Sequence, residues 1–273
     1  MDVSEVALRA QVAWLRGLAA AGFAQISAGN GFAVSTGLDS NTENGAVIDP
    51  SARHLDVLLD WLRERARPAS VLVTGPLEPE VTARLIDRGL QPERTGNNMG
   101  RPLAGFGKSG TTEKCACART CGRRQVGHCP DPGWAVSEVT DVAALRENQR
   151  VYADDGWWDS AGELDHRVEV AARLGFGPGR PIRHWTAHHE GAPAGAATSF
   201  QFEDAALLVH CCVAEGWRRR GIGTALTRIS LAAAAHQGAV QAVVFPSPDG
   251  YHLHHSLGFE LAPVHLDRCF YLP

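Results

Sequence analysis

The chain has 273 residues, of which 44% are apolar, and a formal charge of −4 at pH 7. This length suits one large domain or two small ones, and the weakly negative charge gives no reason to expect nucleic-acid binding. No apolar run reaches membrane-spanning length, and the acidic start of the sequence lacks a signal-peptide pattern. We therefore expect a cytoplasmic protein with no membrane partner.

The first hundred residues predict one α/β unit. Apolar side chains repeat at helical spacing in three stretches, and short apolar runs typical of buried strands lie between them. Ser51 is a typical N-cap for the second helix. The predicted elements are a helix over 3–21, strands at 31–35 and 46–48, a helix after Ser51, a strand at 70–73, a helix over 80–88 and a strand near 93–101.

Residues 104–133 interrupt this pattern, because they are rich in glycine, threonine and cysteine and predict a linker. Four cysteines lie close together in this segment: Cys115, Cys117, Cys121 and Cys129. A structural zinc ion needs four sulfur or nitrogen ligands, so the count fits, although the spacing is not that of two Cys-x2-Cys motifs. The sequence leaves a zinc site, an iron–sulfur cluster and uncommitted thiols open.

The remainder of the chain predicts a second α/β unit with a similar order of elements. The predicted elements are a strand at 134–138, two helices within 141–174, a hairpin of strands at 181–190 and 194–202, a buried strand at 205–213, a helix that starts near 222 and closes at Gly238, and a strand at 239–245.

A glycine-rich turn lies between the buried strand at 205–213 and the helix that follows it. Three arginines and two glycines occupy this turn: Arg218, Arg219, Arg220, Gly221 and Gly223. The glycines let the backbone approach a ligand closely, and the free N–H groups and dipole of the helix N-terminus favour an anion. The turn, here called the cradle loop (Arg218–Thr224), is therefore predicted to bind a pyrophosphate group.

The cradle loop resembles the acyl-CoA motif of the GNAT superfamily of N-acyltransferases, Arg/Gln-x-x-Gly-x-Gly/Ala after a strand that ends Val-x-Pro. The motif positions and the preceding valine are matched by Arg218, Gly221, Gly223 and Val213. Glu215 replaces the usual proline. Farther on, Leu253–Phe259 resembles the Leu-Tyr-x-x-x-Gly-Phe helix end of the family, so the resemblance covers residues 134–273.

The order of elements in the first unit parallels that of the second, which predicts a tandem arrangement with a degenerate GNAT-like unit first. Its counterpart of the cradle loop, Asp49–His54, contains no glycine, and Asp49 would repel phosphate. The predicted fold class is α/β, with a mixed sheet flanked by helices in each unit. The predicted boundaries are 1–103 for the degenerate unit, 104–133 for the linker and 134–273 for the catalytic domain.

The resemblance implies a set of site residues. The acetyl-CoA site would contain Cys211, Val213, Arg218, Arg219, Arg220, Gly221, Ile222, Gly223 and Thr224. His254 holds the position of the family's tyrosine acid, with Tyr251 as a second candidate for that proton donor. No general base is evident, because Leu207 stands where some relatives carry glutamate; the candidates are His210, Glu203, Asp204 or a chain of waters.

The acceptor pocket implied by the resemblance lies over the first two helices of the second unit. Trp157, Trp158 and Asp155 combine aromatic faces with a carboxylate, a composition suited to a cationic amine. The sequence therefore predicts acetyl-CoA-dependent N-acetylation of a primary amine, of a small molecule or specialised metabolite. A protein or peptide N-acetyltransferase and a non-catalytic acyl-CoA-binding regulatory module are the alternatives, and the oligomeric state, a homodimer included, is left open.

Overall fold

The computed structural model describes residues 2–49, 54–92, 98–104, 106, 134–157, 161–262 and 268–273. The chain divides into two compact units. Unit 1 is formed by both ends of the sequence, and unit 2 is a single stretch between them. Unit 1 contains Met1–Asn98 and Ala262–Pro273, and unit 2 contains Met99–Leu261. Within the described residues, no helix is long and apolar enough to cross a membrane.

Each unit is a mixed sheet with helices packed on it. Unit 1 contains α1 (Val3–Ala20), β1 (Ala24–Ala28), β2 (Gly31–Ser35), β3 (Asn44–Ile48), α2 (Leu55–Arg63), β4 (Ala69–Val73), α3 (Pro79–Asp87) and β5 (Gln91–Pro92). Unit 2 contains β6 (Met99–Pro102), β7 (Trp134–Glu138), α4 (Val142–Asp154), α5 (Ala161–Leu174), β8 (Ile182–His189), β9 (Ala192–Phe202), β10 (Ala205–Val213), α6 (Ile222–His236), β11 (Gln241–Val244), α7 (Pro248–Ser256) and β12 (Glu260–Leu261). The last strand, β13 (Cys269–Leu272), returns to unit 1.

The two sheets have the same arrangement of strand directions. The order is β1-β2-β3-β4-β13-β5 in unit 1 and β12-β6-β11-β10-β9-β8-β7 in unit 2. In each sheet one parallel pair, β3 with β4 or β10 with β11, is surrounded by antiparallel pairs. Unit 2 carries an additional edge strand, β7, so unit 1 is the shorter version of the same architecture. The predicted tandem mixed α/β fold is confirmed.

The core of unit 1 follows from the helical spacing of leucines in α2. Four of them lie on one face and are almost completely buried against the sheet: Leu55, Leu58, Leu59 and Leu62. From the opposite end of the sequence, Phe270 and Leu272 of β13 enter the same cluster. Burial of large aliphatic side chains at roughly 25 cal/mol per Å² is the dominant favourable term, so unit 1 depends on both ends of the chain.

Two strands, β6 and β13, each pair in the unit opposite to the one that the predicted domain boundaries imply. Strand β6 pairs with β11 and β12 of unit 2, whereas the boundary at residue 103 had assigned it to the first unit. Strand β13 pairs with β4 and β5 of unit 1, although it lies at the end of the stretch assigned to the catalytic domain. Local periodicity predicts a strand but not its partner, so this exchange could not be read from the pattern.

Most predicted elements are observed within a few residues of their expected ends. Strand β1 was missed: Ala24–Ala28 alternates apolar and polar residues, but the run has only five residues and most of its side chains are exposed. The strand expected near 93–101 is observed as two separate strands, β5 and β6, in different sheets. Helix α2 follows His54, whose side chain makes no cap hydrogen bond; the predicted cap Ser51 lies outside the described residues.

Candidate functional site

The centre of the site in unit 2 is the point where β10 and β11 separate. Their parallel pairing stops at Leu208 and Val244, whereas β10 continues to Val213 paired only with β9. A β-bulge between Leu208 and His210 accompanies the separation. Because a bulge turns the strand and re-aims its side chains, the second half of β10 presents one backbone edge towards the gap. An extended ligand can hydrogen-bond to such an edge.

The cradle loop follows directly at the end of β10. A short 3-10 turn, Glu215–Trp217, leads into it, and Gly221 precedes the first turn of α6. Arg219 and Gly221 have positive φ angles of 63° and 84°, and no side chain caps the N-terminus of α6. The backbone N–H groups of the first helical turn have no acceptor within the helix, so this loop is suited to an anion. A left-handed arginine costs about 1 kcal/mol and is a feature found at functional loops.

The start of α6 lies very close to the sheet. A Cβ atom built on Gly195 of β9 would lie 2.9 Å from Cγ2 of Ile222 and 3.1 Å from Cδ1 of Leu226. A Cβ atom on Gly223 would lie 3.2 Å from Cδ2 of Leu253, on α7. Glycine at these two positions therefore lets β9, α6 and α7 approach one another, which fixes where the cradle loop lies. Gly195 cannot be recognised from the sequence, because its role depends on contacts between distant elements.

Arg218 and Asp155 form an ion pair between the cradle loop and the end of α4. The Arg218 Nη2 atom lies 2.8 Å from both carboxylate oxygens of Asp155, and its Nε donates to the Val213 carbonyl at 3.0 Å. The Cys212 thiol donates to Asp155 Oδ2 at 3.2 Å. The Asp155 side chain is only 9% exposed, against 50% for Arg218. Asp155, predicted to bind the acceptor, is thus paired with Arg218, which is predicted to bind the pyrophosphate.

The two neighbouring arginines, Arg219 and Arg220, are exposed. The guanidinium of Arg220 lies over the ring of Trp217, with its carbon 4.7 Å from the ring centroid. The Trp217 ring also contacts that of His189, with 4.0 Å between the centroids and 32° between the ring planes. These two cations therefore remain at the surface of the loop, where they can attract a polyanion.

An aromatic group lies beside the point where β10 separates from β11. The His210 ring is 5.7 Å from Tyr152 and 5.7 Å from Trp157, and the two latter rings are 5.4 Å apart. Trp157 is 44% exposed, whereas Tyr152 is fully buried. The structure thus brings together two residues predicted from the sequence, His210 and Trp157, and adds Tyr152 from the end of α4.

Polar side chains continue from this aromatic group across the sheet. Thr198 is the cross-strand neighbour of both His184 and His210. The His184 Nδ1 atom lies 2.8 Å from Thr198 Oγ1, and the Tyr152 hydroxyl lies 3.5 Å from the same oxygen. Burial lowers the pKa of His184 to about 3, and the nearby His210 adds to this effect, so the buried ring is neutral at pH 7.

His254 lies in the core of unit 2 and not at its surface. It is 4% exposed, its ring packs edge-to-face on Phe259 at 5.4 Å, and its Nδ1 atom is buried with no hydrogen-bond partner. Burial lowers its pKa to about 4. Tyr251, on the preceding turn of α7, is partly exposed and stacks with His255 at 5.8 Å. These environments favour packing for His254 and leave Tyr251 accessible.

The remaining candidates fall at different places on the sheet. Burial raises the pKa of the Cys211 thiol to about 11 and that of the Cys212 thiol still further, so neither is a thiolate at neutral pH. Leu207 is buried in β10. Glu203 and Asp204 form the turn before β10, and the nine residues of that strand place them about 30 Å along the chain from the cradle loop, away from the site.

Two groups of predicted residues lie outside the described part of the chain. They are Trp158, from the acceptor set, and the four cysteines of the predicted metal site, Cys115, Cys117, Cys121 and Cys129. Among the residues that the structure does describe, no group of three or more histidine, cysteine or acidic side chains could hold a metal ion.

The equivalent loop of unit 1 lies between β3 and α2, as the parallel order of elements predicts. Its described ends are Asp49 and His54. The His54 ring packs against Gly29, where an added Cβ atom would lie 2.3 Å from His54 Cδ2. The described ends of this loop thus carry a carboxylate and an imidazole ring, whereas the loop of unit 2 carries glycine, arginine and an uncapped helix N-terminus.

Comparison with known proteins agrees with this geometry. Residues 180–261 match a family model described as an acetyltransferase (GNAT) domain. A GCN5-related N-acetyltransferase from Kribbella flavida aligns over 97% of this chain and 93% of its own, with 16% identity and a TM-score of 0.61. A tandem GNAT protein from the clavulanic acid biosynthesis pathway aligns over 100% and 96%, with 14% identity and a TM-score of 0.53. No curated protein matches the sequence.

The separated parallel strands, the cradle loop and the helix that follows it all lie in unit 2. The match over 180–261 lies inside unit 2 and contains both the cradle loop and α7. Residues 180–261 are a GNAT acetyltransferase domain, and the whole chain has the fold of a tandem GNAT protein. At identities of 14–16% the solved structures establish the fold alone.

Proposed function

We propose that unit 2 transfers an acetyl group from acetyl-CoA to the primary amine of a small molecule. The observation that carries this proposal is the cradle loop, a left-handed, glycine-containing turn at an uncapped helix N-terminus beside two separated parallel strands. The loop supplies backbone N–H groups for the pyrophosphate. The free edge of β10 supplies backbone groups that can orient the pantetheine arm and polarise the thioester carbonyl.

The reaction needs a neutral amine and a proton for the leaving thiolate. We assign the base to His210, which is half-buried next to the strand separation and carries an imidazole, the side chain that acts most often as a general base. Tyr251 is the proposed proton donor, because His254 is buried and its lowered pKa leaves it neutral. Trp157, with its ring partly exposed beside His210, offers an aromatic face to a cationic acceptor.

The acyl-CoA site is tested by calorimetric titration of the full chain with acetyl-CoA. Gly221→Asp should abolish measurable binding, because the aspartate adds like charge at the anion and strains a position with a φ of 84°. Arg219→Ala is the matched variant in the same loop, and it should weaken binding by no more than about tenfold if backbone groups dominate. The stoichiometry should be one per chain, because Asp49 and His54 occupy the equivalent loop of unit 1.

Unchanged affinity in Gly221→Asp, or two sites per chain, would contradict the proposed cofactor site. Turnover is measured separately, as release of free CoA thiol in the presence of a panel of small amines and of peptides with a free N-terminus. Release of CoA thiol with peptides alone would identify a protein or peptide as the acceptor. Tight binding of acetyl-CoA with no release from any amine would identify a binding module without catalysis.

A further inference from the structure

We propose that Asp155 is a positioning residue for the acyl-CoA site and does not receive the acceptor amine. In this role it holds Arg218, and through it the cradle loop, to the end of helix α4. The inference rests on the proposed function of unit 2 and assigns new roles within its site. It begins from the ion pair between Asp155 and Arg218, which joins an element of the acceptor side to the loop of the cofactor side.

Three of the roughly four acceptor positions of the Asp155 carboxylate are already used. Arg218 Nη2 lies 2.8 Å from both oxygens, and the Cys212 thiol donates to Oδ2. The side chain is 9% exposed, so it is largely removed from water. A substrate ammonium would have to compete with Arg218 for this carboxylate. Arg218 is half exposed, but the carboxylate is only 9% exposed, so displacing the guanidinium would cost two charge-assisted hydrogen bonds to a largely buried group, and the pair is expected to persist when substrate binds.

Arg218 is held on two sides. Its Nη2 faces Asp155, and its Nε donates to the carbonyl of Val213, the last residue of β10. The side chain thus closes the turn between the strand end and the cradle loop, and Asp155 fixes the position of that closure. Arg219, the next residue, has the left-handed φ of 63° that turns the following N–H groups towards the anion. The contribution of Arg218 is therefore geometric, since Asp155 balances its charge.

The same end of α4 also touches the proposed base. Two residues beyond Asp155, the Trp157 ring lies 5.7 Å from the His210 ring. The backbone N–H of Trp157 donates to the Tyr152 carbonyl at 3.0 Å. The end of the helix is therefore attached to the cradle loop by the ion pair, and to β10 by the Cys212 hydrogen bond and the ring contact with His210. This arrangement gives Asp155 an influence on the cofactor loop that an exposed neighbour would not have.

The test compares four variants of the full-length protein by calorimetric titration with CoA. Asp155→Asn removes the charge with little change of shape, and Asp154→Asn makes the same change at an exposed position of the same helix end. We expect Asp155→Asn and Arg218→Gln each to weaken CoA binding by about tenfold, the scale of one charge-assisted contact. The double variant should be no weaker than either single variant, because both changes remove the same contact. Asp154→Asn should bind as the wild type does.

Two further measurements separate positioning from general destabilisation. Asp155→Glu keeps the carboxylate and should recover part of the lost affinity, whereas Asp155→Asn should melt within a few degrees of the wild type. Hydrogen exchange of the 218–224 amides should be faster in Asp155→Asn than in Asp154→Asn without any ligand. This last result does not depend on CoA, so it decides the role of Asp155 even if the wild type fails to bind CoA and the proposed function is wrong.

Three results would overturn the proposal. They are wild-type CoA affinity in Asp155→Asn, additive losses in the double variant, and unchanged exchange of the 218–224 amides. In the first case, an increase in the KM for the amine acceptor alone would return Asp155 to the acceptor site.

Discussion

At the scale of single residues, burial decides which histidines of unit 2 can take part in chemistry. His184 and His254 are almost fully buried, and burial lowers their pKa values to about 3 and about 4. A histidine whose pKa is lower in the folded state makes the free energy of unfolding depend on pH. Between the two pKa values the unfolded chain binds a proton that the folded chain does not bind. His210, next to the separation of β10 and β11, is the histidine whose position suits proton transfer.

The sign of this effect can be tested at His254. Its pKa is about 4 in the fold against an ordinary value of 6.5, so its contribution to stability is complete above pH 6.5 and is lost as the pH falls towards 4. The loss is on the order of 3 kcal/mol for one such histidine. Urea unfolding at pH 7.5 and 4.5 should therefore show a smaller loss in His254→Leu than in the wild type, whereas the exposed neighbour His255→Leu should keep the wild-type dependence.

The same variant separates packing from catalysis. If His254 only packs on Phe259, His254→Leu should retain turnover at neutral pH, while Tyr251→Phe should lower it by about 10²-fold, the low end for loss of a general acid. A loss of that size in His254→Leu, with normal turnover in Tyr251→Phe, would return the proton-donor role to the histidine. An unchanged pH dependence of stability in His254→Leu would contradict its burial as a neutral group.

At the scale of elements, the position of the cradle loop depends on how closely α6 approaches the sheet. Gly195 lies beneath the first turn of α6, with Ile222 and Leu226 directly above it. The helix itself is predictable from its apolar face, but its distance from β9 is set by the absence of a side chain at this one position. A change on β9 should therefore alter anion binding at a loop that it does not belong to.

Gly195→Ala should destabilise the fold by about 1–3 kcal/mol, because the added methyl group meets three atoms at 2.9–3.1 Å. It should also weaken acetyl-CoA binding, since α6 must shift. Gly162→Ala, in α5, is the matched control: an added Cβ there meets nothing within 4 Å, and the change should stabilise the protein by up to about 1 kcal/mol. Thermal unfolding and calorimetry give both quantities. Equal effects of the two substitutions would contradict this account of the packing.

At the scale of the whole molecule, each unit is completed by a strand from a distant part of the sequence. Met99 of β6 is fully buried in the core of unit 2, and Arg101 donates to the carbonyl of Leu257 at the end of α7. Strand β13 likewise buries Phe270 in unit 1. The two units are therefore not separable at the linker, because a cut there leaves each sheet without one strand.

Two fragments test this interdependence. A fragment of residues 134–273 lacks β6 and carries an unpaired β13, so we expect it to aggregate through exposed strand edges. A fragment of residues 99–262 contains every strand of unit 2 and should fold, with the amides of Gln241–Val244 protected from hydrogen exchange and acetyl-CoA bound. Expression yield, gel filtration and exchange provide the measurements. A soluble, folded 134–273 fragment with full protection of Gln241–Val244 would show that β6 is dispensable.

The sequence by itself determined the helices, most strands, the cradle loop and the family, because these depend on local periodicity and on a short motif with fixed spacing. Only the tertiary structure decided the strand exchange, the pairing of Asp155 with Arg218 and the burial of His254. Each of these depends on contacts between residues far apart in the chain. His254 shows the difference most clearly: its place in the motif suggested an acid, but the ring packs on Phe259 away from water, and desolvation then sets its charge.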